Sequence, residues 1–153
     1  MTDPFKSGYA SIIGRPNVGK STLLNRLLAQ KVAVTSKRPQ TTRNKITGVL
    51  HLPGAQIILV DTPGIHQSDR TLNTMMVRAS VSTYSDVDLI MVMLSAEAGF
   101  CDEDEFVLHS LRGVKTKKIL VINKLDLVEK PALLTLMDEM NRKSLFEEII
   151  PIS

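Results

Sequence analysis

The residues best suited to chemistry lie near the start of the chain, in the segment Gly14-Arg15-Pro16-Asn17-Val18-Gly19-Lys20-Ser21. This segment matches the pattern GxxxxGK[ST], in which a glycine-rich turn presents backbone N–H groups to a chain of phosphates. Lys20 would then contact the β- and γ-phosphate oxygens, and the Ser21 hydroxyl would bind Mg²⁺. We therefore predict that Gly14–Ser21, called the phosphate loop below, binds a nucleotide together with Thr22. The alternative is a chance match in an ordinary turn.

Two elements must hold such a loop, and the flanking residues predict both of them. Tyr9-Ala10-Ser11-Ile12-Ile13 has the composition of a short buried strand. The leucines of residues 22–28 fall on one face of a helix. A helix that starts at the loop would direct its partial positive charge at the bound phosphates.

A second candidate segment, Asp61-Thr62-Pro63-Gly64, follows an apolar run predicted to be a strand, residues 55–60. An aspartate at this end of a buried strand lies at the sheet edge where α/β proteins bind ligands. The Asp61 carboxylate would hold Mg²⁺ through water, and the Gly64 N–H would contact a γ-phosphate. A plain Pro-Gly turn is the alternative interpretation.

A third segment, Asn123-Lys124-Leu125-Asp126, follows the apolar strand predicted over residues 118–122. The Asp126 carboxylate can accept both N–H donors of the Watson–Crick edge of guanine, a pair that adenine does not offer. Asn123 would orient the segment, and the Lys124 stem would cover the face of the base. Asp126 therefore favours a guanine nucleotide over ATP. An ATP-using P-loop enzyme is the alternative interpretation.

The rest of the chain alternates predicted strands and helices, which is typical of an α/β fold. We predict a three-layer P-loop fold with a six-stranded, mostly parallel sheet, one antiparallel edge hairpin at Pro53-Gly54, and no final helix. The acidic run Asp102–Glu105 is better explained by helix capping and solvation than by a metal site. Further strands are predicted at residues 45–52, 87–94 and 148–153, and further helices at residues 72–84, 102–113 and 131–143.

Composition indicates one globular domain without a secretion signal or a membrane span. The chain has 153 residues, 43% of them hydrophobic, and a single cysteine, which suits a reducing cytoplasm. Residues 1–60 contain nine bases and one acid, whereas residues 61–153 contain ten bases and fifteen acids. The basic half would attract polyanions such as a nucleotide or RNA, unless it is simply a solvated face.

Taken together, the motifs resemble those of the translation-factor-related GTPases, and more narrowly the Era-type GTPases of bacterial ribosome assembly. The resemblance covers nearly the whole chain. It rests on Gly14–Ser21, Arg38-Pro39-Gln40-Thr41-Thr42-Arg43, Asp61-Thr62-Pro63-Gly64-Ile65-His66 and Asn123-Lys124-Leu125-Asp126.

This resemblance implies a Ras-like G domain that binds GTP, GDP and Mg²⁺ and hydrolyses GTP slowly. Lys20, Thr42 and Gly64 would be the catalytic residues, with Thr42 (or else Thr41) closing on Mg²⁺ and the γ-phosphate. Asn17 matches a position that binds K⁺ in related GTPases, although a turn-stabilising role is the alternative. Ile65 stands where Ras-like enzymes carry a water-orienting glutamine, so turnover should be slow without a partner.

The resemblance also implies partners. Its members act in maturation of 16S rRNA and of the small ribosomal subunit through a C-terminal KH domain. We expect residues 1–153 to be the GTP-binding domain alone, shortened at its C-terminal end and without that KH domain. A cytoplasmic monomer with peripheral association with the inner membrane is expected. The alternative function is a nucleotide-gated RNA- or ribosome-binding module whose turnover is incidental.

Overall fold

The computed structural model describes residues 4–30, 45–61 and 84–153. Within them six strands form one sheet in the order β2-β3-β1-β4-β5-β6. The strands are β1 (Lys6–Ile13), β2 (Lys45–Leu52), β3 (Ala55–Asp61), β4 (Leu89–Ser95), β5 (Lys117–Asn123) and β6 (Glu148–Pro151). The helices are α1 (Lys20–Gln30), α2 (Asp102–Ser110) and α3 (Lys130–Arg142), and a 3₁₀ turn spans Leu125–Leu127.

Strand direction follows from the length of each connection. β2 and β3 are joined by the two-residue turn Pro53-Gly54 and pair antiparallel, with Leu52 opposite Ala55. All other neighbouring strands pair parallel, as long crossover connections require. The predicted mostly parallel sheet with one antiparallel edge pair is therefore confirmed.

The two faces of the sheet are covered by different helices, which makes the fold three layers thick. On one face, Leu108 of α2 and Leu136 and Met140 of α3 pack against alternate β4 residues such as Val92. On the other face, Leu23 of α1 packs with Met93 of β4, Val121 of β5 and Val18 of the phosphate loop. Because β4 and β5 are buried on both faces, they are continuous apolar runs in the sequence.

On the α1 side of the sheet, β2 passes close to the helix at Gly48. A Cβ atom on Gly48 would lie 2.5 Å from Leu28 Cδ2 of α1. The register of β2 against β3 shifts between Ile46 and Gly48, so an irregularity of the strand coincides with this close approach.

Several predicted boundaries differ from the structure by a few residues. β1 begins at Lys6 rather than Tyr9, and β4 runs from Leu89 to Ser95 rather than over residues 87–94. α2 ends at Ser110, three residues before Gly113, whose φ is +82°. The helix predicted over residues 72–84 lies almost entirely outside the described residues. Among the described helices, none combines the length and the apolar character needed to cross a membrane.

Candidate functional site

The phosphate loop leaves the carboxyl end of β1, where two glycines permit close packing. Gly14 has φ +155°, and a Cβ there would lie 2.5 Å from the Met93 carbonyl oxygen. Gly19 has φ +103°, and a Cβ there would lie 2.3 Å from the Asn123 Nδ2 atom. Both distances are far below contact distance, so the two glycines of the motif are required by the backbone and its neighbours.

Between the glycines, the loop residues face in different directions. Pro16 and Asn17 are exposed, and Asn17 has a left-handed backbone with φ +65°. Asparagine tolerates this conformation better than most residues, which supports a turn-stabilising role. The Val18 side chain is fully buried, so only its main chain is available to a ligand.

Lys20, at the start of α1, crosses the loop with its side chain. Its Nζ atom donates hydrogen bonds to the carbonyl oxygens of Gly14 and Arg15, both at 2.7 Å. Burial lowers the pKa of Lys20. Ser21 and Thr22 follow in the first turn of α1 and are exposed. The ammonium group therefore lies at the loop, and the Ser21 hydroxyl is accessible beside it.

The Arg15 side chain reaches α2 instead of solvent. Its Nε atom donates to both carboxylate oxygens of Asp104, at 3.0 and 3.1 Å, and Asp104 is fully buried. The prediction that Asp104 is solvated is therefore wrong. The two residues are 89 positions apart, so no local pattern indicates the contact. Capping holds in part, because Asp104 Oδ2 also accepts from the Cys101 N–H at 3.2 Å.

The segment Asn123–Asp126, called the guanine-recognition segment below after its predicted role, begins where β5 ends. Asn123 Nδ2 donates to the Val18 carbonyl oxygen at 2.9 Å. This hydrogen bond joins the segment directly to the phosphate loop. Two motifs that are 105 residues apart in the chain therefore belong to one site.

The other residues of this segment have partners as well. Lys124 has a left-handed backbone with φ +62°, and its Nζ lies 3.1 Å from Glu97 Oε2. Asp126 is exposed at the 3₁₀ turn and accepts a hydrogen bond from Ser153 Oγ at 2.7 Å. The contact with Glu97 was not predicted, because Glu97 belongs to the loop after β4.

Parallel strand directions bring the predicted residues to one edge of the sheet. The phosphate loop, Asp61 and the guanine-recognition segment follow or end β1, β3 and β5, and their carboxyl ends share that edge. β1 lies between β3 and β4, so the chain changes direction along the sheet at the phosphate loop. Such a reversal of strand order is the usual position of a ligand site in open α/β sheets.

Some predicted site residues lie outside the described residues: Thr42, Thr62, Pro63 and Gly64. Of Asp61 only the position at the end of β3 is described. The donor set nevertheless fits Mg²⁺, because an exposed Ser21 hydroxyl and the Asp61 position follow adjacent parallel strands. Within the described ranges, no group of three histidine, cysteine or acidic residues forms a separate metal site.

Comparison with known proteins gives consistent results. The model of the family described as 50S ribosome-binding GTPase matches residues 9–124. Two curated relatives are called GTPase Era. The one from Geobacter metallireducens is 48% identical over 154 residues, covering 100% of this chain and 52% of the relative. The one from Geotalea daltonii is 47% identical over 149 residues, covering 97% and 50%. The chain thus spans about half the length of these relatives.

Two solved structures of Era are similar as well. Era in complex with MgGDPNP and nucleotides 1506–1542 of 16S ribosomal RNA superposes with a TM-score of 0.75 at 39% identity, covering 97% of this chain and 51% of that one. A variant of Aquifex aeolicus Era bound to GDP and AlF₄⁻ gives a TM-score of 0.73 at 40% identity, with coverage of 97% and 51%. By its family match and its sequence and structural similarity, the chain belongs to the 50S ribosome-binding GTPase family and, within it, to the Era-type GTPases.

Proposed function

We propose that this chain binds guanine nucleotides with Mg²⁺ and hydrolyses GTP slowly to GDP, as a conformational switch. The observation that carries the proposal is the 2.9 Å hydrogen bond from Asn123 Nδ2 to the Val18 carbonyl oxygen. It joins the Asn123–Asp126 segment to residues 14–21, which supports a site in which one nucleotide spans both. A chance match of the motif in an ordinary turn would not predict a hydrogen bond with a strand end 105 residues away.

The phosphate end of the nucleotide would be bound by Lys20 and by backbone N–H groups within residues 14–22, apart from Pro16, which has no N–H. Burial disfavours the charged form of Lys20 and lowers its pKa. A bound phosphate would have the opposite effect, because a nearby negative charge favours the protonated ammonium group. Bound Mg²⁺, held by Ser21 and Asp61, would neutralise charge on the β- and γ-phosphates. Thr42, Thr62, Pro63 and Gly64 complete the proposed site from the segments that follow α1 and β3.

The base would be bound by Asp126, an exposed carboxylate at the sheet edge. Its Oδ1 atom already accepts from Ser153 Oγ, which orients the carboxylate. Asn123 is held by the phosphate loop, and Lys124 is held by Glu97. These contacts position the segment before any base arrives, which reduces the entropy lost on binding.

Slow hydrolysis follows from Ile65, whose side chain cannot orient a water molecule. We propose that K⁺ beside Asn17 supplies part of the missing charge stabilisation. Its support is the exposed position of Asn17 in the phosphate loop, together with the family resemblance. Turnover that is equal in K⁺ and Na⁺ would overturn this part of the proposal.

We further propose that the whole protein couples its nucleotide state to small-subunit ribosomal RNA. The support is the relative solved with MgGDPNP and nucleotides 1506–1542 of 16S ribosomal RNA. By resemblance alone, the proposal includes a monomer in the cytoplasm that associates peripherally with the inner membrane. The alternative, a binding module with incidental turnover, predicts that RNA and K⁺ leave the hydrolysis rate unchanged.

The test of nucleotide binding is titration with fluorescent GDP, competed with GTP, ATP and xanthosine diphosphate. GTP should compete and ATP should not. Asp126→Asn should weaken GDP binding roughly 100-fold or more, because each hydrogen bond to a charged group contributes about 1.5–3 kcal/mol. The same variant should gain affinity for xanthosine diphosphate, since an amide N–H can donate to the carbonyl that replaces the guanine amino group.

The matched control is Asp138→Asn, which removes another exposed carboxylate, on α3. It should leave GDP affinity unchanged. Equal competition by ATP and GTP, or unchanged GDP affinity in Asp126→Asn, would show that Asp126 does not recognise guanine. Absence of any GDP binding would overturn the proposed function itself.

A further inference from the structure

The buried carboxylate of Asp104 has more partners than helix capping needs. Arg15 Nε donates to it at 3.0 and 3.1 Å. From the residue that precedes its own helix, it accepts from the Cys101 N–H at 3.2 Å and contacts Cys101 Sγ at 3.3 Å. Asp104 itself is fully buried, and the Arg15 side chain is only 16% exposed. A charge withdrawn from water to this degree is retained only with its counter-charge in place.

Arg15 connects this carboxylate to the machinery of the phosphate loop. Its main-chain carbonyl oxygen accepts a hydrogen bond from Lys20 Nζ at 2.7 Å. The side chain and the backbone of one residue therefore link α2 to the lysine that would contact the phosphates. A shift of Asp104 would move Arg15 and, with it, one of the two carbonyl groups that Lys20 contacts.

The loop needs such external contacts because its glycines impose little conformational restriction. Gly14 and Gly19 both adopt positive φ values. Between them, the loop is held from β5 by the Asn123–Val18 hydrogen bond and from α2 by the Arg15–Asp104 ion pair. A loop already held in its binding conformation loses less entropy when a ligand arrives.

We propose that Asp104 is a positioning residue for nucleotide binding, holding the phosphate loop in its binding conformation through Arg15. The inference rests on the proposed function, because it concerns how tightly the same site retains a guanine nucleotide. Asp104 touches neither base nor phosphate. Its removal should therefore change retention of the nucleotide and leave selectivity for guanine unchanged.

The experiment measures the release of fluorescent GDP after addition of excess unlabelled GDP, with urea unfolding of every variant in parallel. Asp104→Asn should raise the release rate about tenfold, equivalent to about 1.4 kcal/mol. Its preference for GDP over ADP should match that of the unmodified chain. The matched control is Glu103→Gln, an exposed acid of the same helical turn, which should release GDP at the original rate.

A double-mutant cycle separates positioning through Arg15 from a structural role of Asp104. Arg15→Gln should raise the release rate by about as much as Asp104→Asn, and the double variant should release GDP no faster than either single variant. If the increase in release rate of the double variant equals the product of the two single increases, the residues act independently and the proposal is overturned. Lowered stability of Asp104→Asn with an unchanged release rate, the result expected of a structural role, would also overturn it.

A second variant covers the case in which Asp104→Asn does not fold. Arg15→Met combined with Asp104→Leu replaces the ion pair with apolar side chains, an exchange that buried pairs often tolerate. Faster GDP release by this folded variant supports the proposal, and release at the original rate overturns it. Absence of GDP binding by the unmodified chain would overturn the proposed function and this inference with it. Unchanged release in the variants would overturn this inference alone.

Discussion

At the phosphate loop, residue identity is dictated by backbone geometry as much as by chemistry. A side chain at Gly14 or Gly19 would collide with the Met93 carbonyl oxygen or the Asn123 side-chain amide. Met93 lies two residues before the end of β4 and Asn123 ends β5, and the loop must approach both closely. The glycines thereby let the loop lie directly against the ends of β4 and β5, where Asn123 can hold it.

Substitution of Gly19 by alanine tests this steric requirement. The new methyl group would displace Asn123 from the Val18 carbonyl oxygen, so Gly19→Ala should weaken GDP binding by at least about tenfold, or about 1.4 kcal/mol. The measurement is a fluorescent GDP titration, with urea unfolding for stability.

The matched control is Gly113→Ala. Gly113 also has a positive φ, +82°, but open space where a Cβ would be. The control should cost about 1–2 kcal/mol of stability from backbone strain and leave GDP affinity unchanged. Equal GDP affinity of Gly19→Ala and Gly113→Ala would show that a collision with Asn123 does not explain the glycine at position 19.

Among the helices, α2 makes charged contacts with two other parts of the fold. At its N-terminal turn, Asp104 pairs with Arg15 of the phosphate loop. One residue later, Glu105 accepts a hydrogen bond from Lys143 Nζ at 2.7 Å, just beyond α3. Lys143 also lies 4.4 Å above the centre of the Phe100 ring. The acidic first turn thus connects α2 to both the site and the neighbouring helix, besides favouring its helix dipole.

The Glu105 contact should appear in the pH dependence of stability. The hydrogen bond from Lys143 lowers the pKa of Glu105 below its ordinary value of 4.5. Its stabilising contribution is therefore fully present above pH 4.5 and is lost as the pH falls through the lowered folded-state pKa. Because both side chains are partly exposed, Glu105→Gln should cost at most about 1 kcal/mol at pH 7.

Urea unfolding at pH 7 and pH 3 measures this effect. The difference between Glu105→Gln and the unmodified chain should shrink at the lower pH. Glu103→Gln, on the same turn, is the comparison, since Glu103 has no ion pair within the ranges that the structure describes. An equal loss for Glu105→Gln at both pH values would contradict the assignment of stabilisation to the charged contact.

At the scale of the molecule, the sheet organises one site from segments that are distant in the chain. The described parts of the site follow β1, β3 and β5, and the loop after β4 contributes Glu97 beside Lys124. A ligand that contacts several strand ends at once would bind the folded chain and not the unfolded one. Nucleotide binding should therefore stabilise the whole fold by mass action.

Thermal unfolding with and without nucleotide tests this expectation. GDP at about 100 times its dissociation constant should add about 2.7 kcal/mol of stability. For a chain of this size, that raises the melting temperature by roughly 5–10 °C. ADP at the same concentration should cause no shift, and Asp126→Asn should lose most of the GDP effect. An equal shift with ADP and GDP would indicate binding through the phosphates without recognition of the base.

Sequence patterns were sufficient for much of the fold, because the relevant preferences are local. The glycine-rich motif lies between its strand and its helix, and Pro53-Gly54 forms the predicted hairpin. Pro131 indicated the start of α3, and the predicted range of residues 131–143 agrees with the structure to within one residue at each end. The start of β1 was missed because Lys6, Ser7 and Gly8 lack the apolar signal of a buried strand, although they pair with β3.

Motif spacing and strand–turn–helix preferences were enough to predict which residues have the chemistry of a guanine-nucleotide site, since these signals act over a few neighbouring residues. How these segments contact one another depends on the packing of the whole sheet and its helices. The Asn123–Val18 and Lys124–Glu97 contacts and the burial of Asp104 against Arg15 depend on strand order and helix packing. Since such contacts join residues many positions apart, no local pattern encodes them. The residues around Asp104 would look the same in the sequence whether its side chain were solvated or buried against Arg15.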